Sequence, residues 1–146
     1  MNINKICSLI CVAIMIVAGP SFAQKNKSDK PLDGLNYEVK ITVEAQAKPT
    51  KPMAEELSFK NNKLKSKAIA EKYSFKSGEY TATIDESNAE EVVTTFDAFM
   101  FGETPEDVLT WHGTVTGEDI EGSAIWTKKG KVKKSFAFVG TLKKKK

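Results

Sequence analysis

The chain has 146 residues with 22 basic and 19 acidic side chains, which gives a formal net charge of only +3 at pH 7. All of these basic side chains are lysines, and the absence of arginine disfavours dedicated nucleic-acid recognition, in which the guanidinium group is the usual tool. The length is sufficient for one domain with a hydrophobic core. We therefore expect one globular domain and no nucleic-acid partner.

Residues 1–23 have the features of a secretory signal peptide. One lysine precedes an apolar run over residues 6–18, a Gly-Pro pair at 19–20 interrupts it, and small residues stand at the two positions that a signal peptidase recognises. The apolar run is too short to span a bilayer stably. We predict cleavage after Ala23, export to the periplasm or the extracellular space, and no transmembrane segment in the mature chain.

Both cysteines, Cys7 and Cys11, lie within this signal peptide. The mature protein is therefore expected to contain no disulfide, although an exported protein could carry one. An alternative is that Cys11 carries a lipid, because Leu9-Ile10-Cys11 weakly resembles a lipid-attachment motif. The apolar segment in front of Cys11 is short for that processing, so we expect cleavage after Ala23.

The mature chain divides into three parts. Residues 24–34 form a polar, flexible leader, residues 35–142 form the folded domain, and residues 143–146 form a solvated lysine tail that protects the last strand from pairing. Apolar residues alternate with polar ones through most of the domain, as in half-buried strands. The alternation is clearest in the predicted first strand, where its members are Tyr37, Val39, Ile41, Val43 and Ala45.

The pattern predicts eight strands in all. The first occupies residues 37–45 and is followed by a proline-containing loop over residues 47–54. The later strands begin at residues 57 and 64 and then occupy residues 79–84, 92–101, 108–116, 120–127 and 132–142. Helix-start signals at Ser87 and Thr104 lack an apolar stripe after them, so each predicts at most a single helical turn. The spacing is typical of an antiparallel up-and-down barrel, with a β-sandwich as the alternative.

The last three strands specify their own register. A two-residue turn at 117–118 places Trp111 opposite Ala124 and Gly113 opposite Gly122, and a three-residue loop at 129–131 extends these rows to the eighth strand. The predicted rows on one sheet face are Trp111/Ala124/Phe136, Gly113/Gly122/Phe138 and Val115/Ile120/Gly140. Each row mixes large and small side chains, as a curved interior requires. The facing glycines either leave bare backbone for a ligand or permit strong bending under Phe138, and we favour the second interpretation.

Charge is unevenly distributed along the chain. Residues 77–121 hold 12 acidic residues and no lysine, whereas residues 122–146 hold nine lysines and no acidic residue. Strands from such blocks pair opposite charges across a sheet. We interpret the blocks as solvated surfaces, with an acidic patch for a cation or a basic partner as the alternative.

Three polar features of the sequence are candidate chemical sites. His112 is the only histidine, and the mature chain offers no cysteine, so neither a metal site nor a nucleophilic triad is expected. Asp97 lies in an apolar context and would be a general acid if buried, but strand alternation favours an outward position. The acids around residues 85–91 lack the spacing of a calcium loop. The sequence therefore predicts no catalytic residue, metal ligand or cofactor.

A family resemblance adds a fold expectation. Leu32-Asp33-Gly34 ahead of a long first strand, and the closing hairpins with Trp111-His112-Gly113 and Ile120-Glu121-Gly122, resemble lipocalin-type (calycin) barrels. More narrowly, residues 57–60, 111–126 and 136–140 resemble small exported β proteins of Bacteroidetes-like bacteria. The resemblance implies an eight-stranded barrel with an interior cavity for an apolar small molecule.

The leading functional hypothesis is an exported, non-enzymatic barrel that binds a small apolar or amphipathic ligand in its interior. Barrels of this strand number hold either a packed core or one small ligand. The residues predicted to line the ligand site are Tyr37, Phe59, Tyr80, Trp111, Trp126 and Phe138. The alternative is an envelope protein-interaction or structural module with a fully packed core, and an enzyme with paired carboxylates ranks third.

Overall fold

The structure is a computed structural model that describes residues 30–44, 48 and 50–146. These residues form eight strands and one short helix. In chain order these are β1 (Asn36–Val43), β2 (Met53–Lys60), β3 (Lys63–Ser66), α1 (Lys67–Tyr73), β4 (Gly78–Asp85), β5 (Val93–Phe101), β6 (Asp107–Thr116), β7 (Asp119–Lys128) and β8 (Lys131–Leu142). The predicted signal peptide and the start of the predicted leader lie outside the described residues.

The strands form one closed antiparallel barrel in sequence order. Each strand pairs with the next along the chain, and β1 pairs with β8 to close the cylinder. This arrangement confirms the predicted up-and-down barrel and is incompatible with the alternative β-sandwich. Every strand contributes buried inward residues, so the hydrophobic core is the barrel interior.

The predicted register of the last three strands is confirmed. Trp111 faces Ala124 and Gly113 faces Gly122, while Ala124 and Gly122 face Phe136 and Phe138 on β8. The connection between β7 and β8 differs from the predicted three-residue loop. It is a two-residue turn at Lys129-Gly130, in which both residues have positive φ angles, followed by a bulge. A two-residue turn plus one bulged residue shifts the register as a three-residue loop would.

Helix α1 was not predicted, because its seven residues are too few to carry an apolar stripe. Its sequence, KAIAEKY, is rich in good helix formers, and Ser74 ends it in the left-handed conformation with its N–H donating to the Ala70 carbonyl. The predicted helix starts at Ser87 and Thr104 form only single turns. The N–H groups of Glu91 and Asp107 donate to carbonyls three residues earlier.

Both ends of the barrel are covered. At one end the turn over residues 31–34 buries Leu32, and the Asp33 carboxylate accepts hydrogen bonds from the Tyr80 hydroxyl at 2.8 Å and from the Asn62 N–H. Leu32 and Asp33 therefore contact the barrel, although the sequence assigns them to the flexible leader. At the other end α1 and the segment after it insert Ile69 and Phe75 into the core.

Candidate functional site

The six residues predicted to bind a ligand share the barrel interior but not one site. Tyr37, Phe59 and Tyr80 form an edge-to-face cluster near the end covered by residues 31–34, with ring centroids 5.0 to 6.0 Å apart. Trp111 and Phe138 contact each other at 5.4 Å further along the barrel.

Trp126 lies at the opposite end of the barrel, where it packs against Tyr73 and Phe75 of the segment that covers that end. It is partly buried, whereas the other five predicted residues are buried. The six side chains therefore run the length of the barrel, and no one small ligand spans them all.

The aromatic rings of these residues pack against one another and fill the barrel interior. Trp111 is fully buried and donates from Nε1 to the Met100 sulfur at 3.3 Å. A Cβ placed on Gly113 would lie 2.6 Å from the Phe96 ring, and one on Gly122 would lie 2.8 Å from the Phe138 ring. The facing glycines thus accommodate aromatic rings, which agrees with their structural interpretation. Ligand binding by the six residues stays a prediction, and it would require these rings to move.

The pockets that we describe lie on the outer surface of the barrel. The largest has a volume of about 780 Å³ and runs between α1 and the outer face of β2, β1 and β8. We call it the α1 groove. Its lining residues are Glu38, Val39, Lys40, Ala54, Glu55, Glu56, Lys67, Ala68, Glu71, Val139, Gly140 and Thr141.

The floor of the α1 groove is formed by neighbouring outward positions on three strands. Lys40 on β1 faces Ala54 on β2 and Val139 on β8, so two apolar side chains flank the lysine stem. Val139 is 59% exposed, which is unusual for a valine in a sheet. On α1, Ala68 adds a third apolar contact beside the charged Lys67 and Glu71. The groove therefore combines an apolar floor with a charged rim.

Glu55 attaches α1 to the barrel and so forms one wall of the groove. It occupies an inward position on β2, where only 5% of the residue is exposed. One oxygen accepts hydrogen bonds from the N–H groups of Glu56 at 2.7 Å and Ala68 at 2.8 Å. The other oxygen accepts from the Ser66 hydroxyl at 2.7 Å and the Ile69 N–H at 2.9 Å. These bonds satisfy donors at the start of α1 that have no partner within the helix.

The alternation of apolar and polar residues on β2 already indicates that Glu55 is buried, although the sequence did not lead us to predict a role for it. Glu55 shares its face with Leu57 and Phe59, so an acid stands where the pattern requires a core residue. A buried carboxylate needs several donors. The run of residues 66–69, with a serine followed by helix formers, is the segment that supplies them.

Charges at the other rim of the groove are paired across strands. The Lys143 ammonium contacts the Glu56 carboxylate at 3.0 Å and the Glu38 carboxylate at 3.7 Å. The hydrogen bond and the charge of Glu56 raise the pKa of Lys143, with a smaller contribution from Glu38. Lys143 therefore stays protonated and offsets two of the acids that line the groove.

Asp97 and His112 form an exposed pair on the opposite side of the barrel. They face each other on β5 and β6, and an Asp97 carboxylate oxygen lies 2.6 Å from His112 Nδ1. Their side chains are 48% and 61% exposed, so Asp97 points outward and lacks the burial that would make it a general acid. Ser123 faces His112 from β7. A surface pair of this kind holds the imidazole in one orientation.

Among the acids near residue 85, Asp85 forms a hydrogen bond within its own turn. An Asp85 carboxylate oxygen accepts from the Ser87 N–H at 2.9 Å, and this hydrogen bond lowers the pKa of Asp85. Among the residues that the structure describes, no three histidine, cysteine, aspartate or glutamate side chains are placed to hold a metal ion. Within the same residues, no helix is long and apolar enough to cross a membrane.

No known protein family, curated protein sequence or solved structure matches the chain. The agreement with lipocalin-type proteins therefore consists of the closed eight-stranded antiparallel barrel alone. Membership of that family, and the resemblance to exported proteins of Bacteroidetes-like bacteria, stay predictions.

Proposed function

We propose that this chain is an exported, non-enzymatic binding protein for a small amphipathic molecule, and that the α1 groove holds this ligand. The observation that carries the proposal is the combination of an apolar floor with charges of both signs in the largest described pocket. The barrel interior is a poorer place for the ligand, because the aromatic rings predicted to bind it already fill that space. Pockets for small molecules are concave and mostly apolar, with a few placed polar groups.

The groove favours a ligand with an apolar chain and a zwitterionic head group. Ala54, Ala68 and Val139 provide contact area for the chain. Lys67 and Glu71 on α1 provide one charge of each sign for the head group, within reach of the same floor. A purely anionic or cationic head group would leave one of these two charges unmatched.

Dodecylphosphocholine below its micelle concentration is a suitable probe, because it has a zwitterionic head and one alkyl chain. In two-dimensional amide NMR of the labelled protein, we expect saturable shift changes at Ala54, Ala68 and Val139. Saturable changes confined to Trp111 and Phe138 would instead locate binding in the interior. Either that result or the absence of saturation would overturn the groove proposal.

A substitution in the groove provides the matched test. Ala54→Trp fills the floor from an exposed position and should weaken probe binding at least about tenfold, because the chain loses its contact area. Ala137→Trp is the control, since Ala137 lies on the outer face of β8 and outside the groove lining. Equal weakening by both substitutions would show that the probe does not recognise the groove.

Export is supported by the features of residues 1–23. Expression in a bacterium should yield protein outside the cytoplasm whose mass corresponds to a chain that begins at Gln24. A lipid-bearing product that begins at Cys11 would support the rival processing. A full-length product that stays in the cytoplasm would refute export.

A further inference from the structure

A second surface of the barrel is apolar although it faces solvent. It lies on the outer side of β5 to β8, at the end where α1 covers the barrel. Phe99 and Phe101 on β5 are 52% and 51% exposed, and Val132 on β8 is 63% exposed. We call this surface the outer patch, and its members are Phe99, Phe101, Val108, Ile125 and Val132.

The strand register places the members of the outer patch in two adjacent rows, each with one threonine between its apolar residues. Phe101 faces Val108 on β6, and Val108 faces Thr127 on β7, which in turn faces Val132 on β8. One row deeper, Phe99 reaches Ile125 through Thr110. Two exposed phenylalanines within a largely apolar surface are typical of a protein interface, in which aromatic residues are enriched.

The charges that flank the outer patch are separated by sign. On the β5–β6 side, the connecting loop carries the exposed Glu103 and Glu106. On the β7–β8 side, the hairpin carries the exposed Lys129, Lys131 and Lys133. These loops belong to the acidic and the lysine-rich blocks of the sequence. Both loops lie at the same end of the barrel, where the Lys129 N–H donates to the Glu106 carbonyl at 3.2 Å. Along this end the surface is therefore acidic beside β5 and β6 and basic beside β7 and β8.

We propose that the outer patch binds the same patch of a second copy of this chain, with a twofold axis parallel to the strands. Such an axis reverses the lateral order of the strands and keeps their ends aligned, so β5 of one copy lies over β8 of its partner. Each acidic loop then meets the partner's lysine hairpin, and the apolar rows meet in the centre. The contact is self-complementary in both charge and hydrophobicity.

Charge also selects against the other face-to-face arrangement. A twofold axis perpendicular to the strands would place β5 over β5 and reverse the strand ends, so the acidic loop would no longer meet the partner's lysine hairpin. That arrangement is disfavoured because it loses the attraction between the acidic loop and the lysine hairpin. The outer patch shares no residue with the α1 groove, so dimerisation does not depend on the proposed ligand.

The size of the patch indicates a weak dimer. Five apolar side chains on a convex barrel bury less than the roughly 1,600 Å² of a standard interface, which places the contact among the smaller, transient ones. Sedimentation velocity of the purified protein over a range of concentrations should therefore show a monomer–dimer equilibrium. A monomer at every concentration up to the millimolar range would overturn the proposal.

Substitution of a central aromatic residue tests the location of the interface. Phe101→Asp should raise the dimer dissociation constant at least about tenfold, because it places a charge in the apolar centre. Val92→Asp is the matched control, since Val92 is also exposed, at 46%, but is not a member of the outer patch. If Val92→Asp weakens the dimer as much as Phe101→Asp does, the interface lies elsewhere.

Charge reversal tests the orientation of the two copies. One variant combines Glu103→Lys with Glu106→Lys, and the other combines Lys131→Glu with Lys133→Glu. Each variant alone should be monomeric, because each of its two charged loops then meets a loop of the same charge on the partner. An equimolar mixture should form heterodimers, because each reversed loop meets a reversed hairpin and each native loop meets a native one.

The mixture also distinguishes the proposal from its rivals. Heterodimers that form only in the mixture support the arrangement with the axis along the strands. Self-association of either variant as strong as that of the unchanged protein would refute it, as would a mixture that stays monomeric while both variants are folded. Circular dichroism provides the check on folding.

Discussion

Removal of the negative charge of Glu55 should destabilise the protein far more than the same change at Glu56. Glu55→Gln keeps the shape of the side chain but replaces one acceptor oxygen with an amide NH₂ group. Glu56→Gln makes the identical change one residue later, on the outer face of β2. The two positions differ in burial and in the number of donors that the carboxylate accepts.

The magnitude follows from the four hydrogen bonds to Glu55. If the amide NH₂ replaces the oxygen that serves Ile69 and Ser66, the Ser66 hydroxyl can rotate to accept, but the Ile69 N–H loses its partner. The opposite orientation leaves two N–H groups without partners, those of Glu56 and Ala68. The first orientation is therefore cheaper, and one buried unsatisfied donor costs about 1–3 kcal/mol. Loss of the negative charge near the helix start adds about 0.3–1 kcal/mol.

We therefore expect Glu55→Gln to lower the free energy of unfolding by about 2–3 kcal/mol. Glu56 makes a partly exposed contact with Lys143, and contacts of that kind contribute little to stability. Urea unfolding followed by tryptophan fluorescence measures both variants, and Trp126 reports on this end of the barrel because it packs against Tyr73. Equal midpoints for the two variants would refute the assignment of Glu55 as the residue that attaches α1.

Three further outcomes follow from close contacts and shifted pKa values. Gly78→Ala should destabilise the barrel by about 3 kcal/mol or prevent folding, because a Cβ there overlaps the Phe99 carbonyl oxygen; an unchanged urea midpoint would contradict this. Burial raises the pKa of Tyr37 from 10.0 to about 12, so folding stability should fall as the pH rises from 10 to 12, by at most about 1.4 kcal/mol per pH unit. Tyr37→Phe should reduce that slope in urea titrations at alkaline pH. Burial raises the pKa of Asp107, but hydrogen bonds from Thr104 and Trp126 and the charge of Lys128 outweigh it, so the pKa lies below its usual value of 3.8. Asp107→Asn should therefore destabilise the protein at pH 6, and its urea midpoint should approach that of the unchanged protein as the pH falls below about 3.8.

The barrel was predictable because its specification is local. Short turns such as Asn61-Asn62, where both φ angles are positive, determine which residues face each other, and the period-two alternation determines which side chains point inward. The pairing of Trp111 with Ala124 follows from one turn and simple counting. An error of one residue would expose the whole apolar face, so few alternatives exist.

Helix α1 and the α1 groove were not predictable in the same way. The helix depends on Glu55, which precedes it by more than ten residues, and on the burial of Ile69 in the barrel end. The groove floor combines Ala54 with Val139, which are 85 positions apart and flank Lys40 only because β1 pairs with both β2 and β8. No local pattern marks a small exposed residue as part of a binding surface.

The interior illustrates a different limit of sequence reasoning. Alternation places Trp111 and Phe138 inside the barrel, but it cannot determine whether the rings fill the space or leave a cavity. That outcome depends on the summed volumes of all inward side chains and on their rotamers. In this barrel, Phe96 and Phe138 occupy the space left by the facing glycines.

Because the interior is filled, the outward positions of the strands are the surface on which the proposed binding depends. Inward side chains form the core, and their replacement lowers the free energy of unfolding whether or not they bind a ligand. Outward side chains can change at little cost, so exposed apolar residues there need another explanation. Val132 and Val139 lie on the same strand, seven residues apart, one in the outer patch and the other in the α1 groove. Because neither valine belongs to the core, each can be substituted without affecting the other. A single strand, β8, therefore contributes to two separate surfaces.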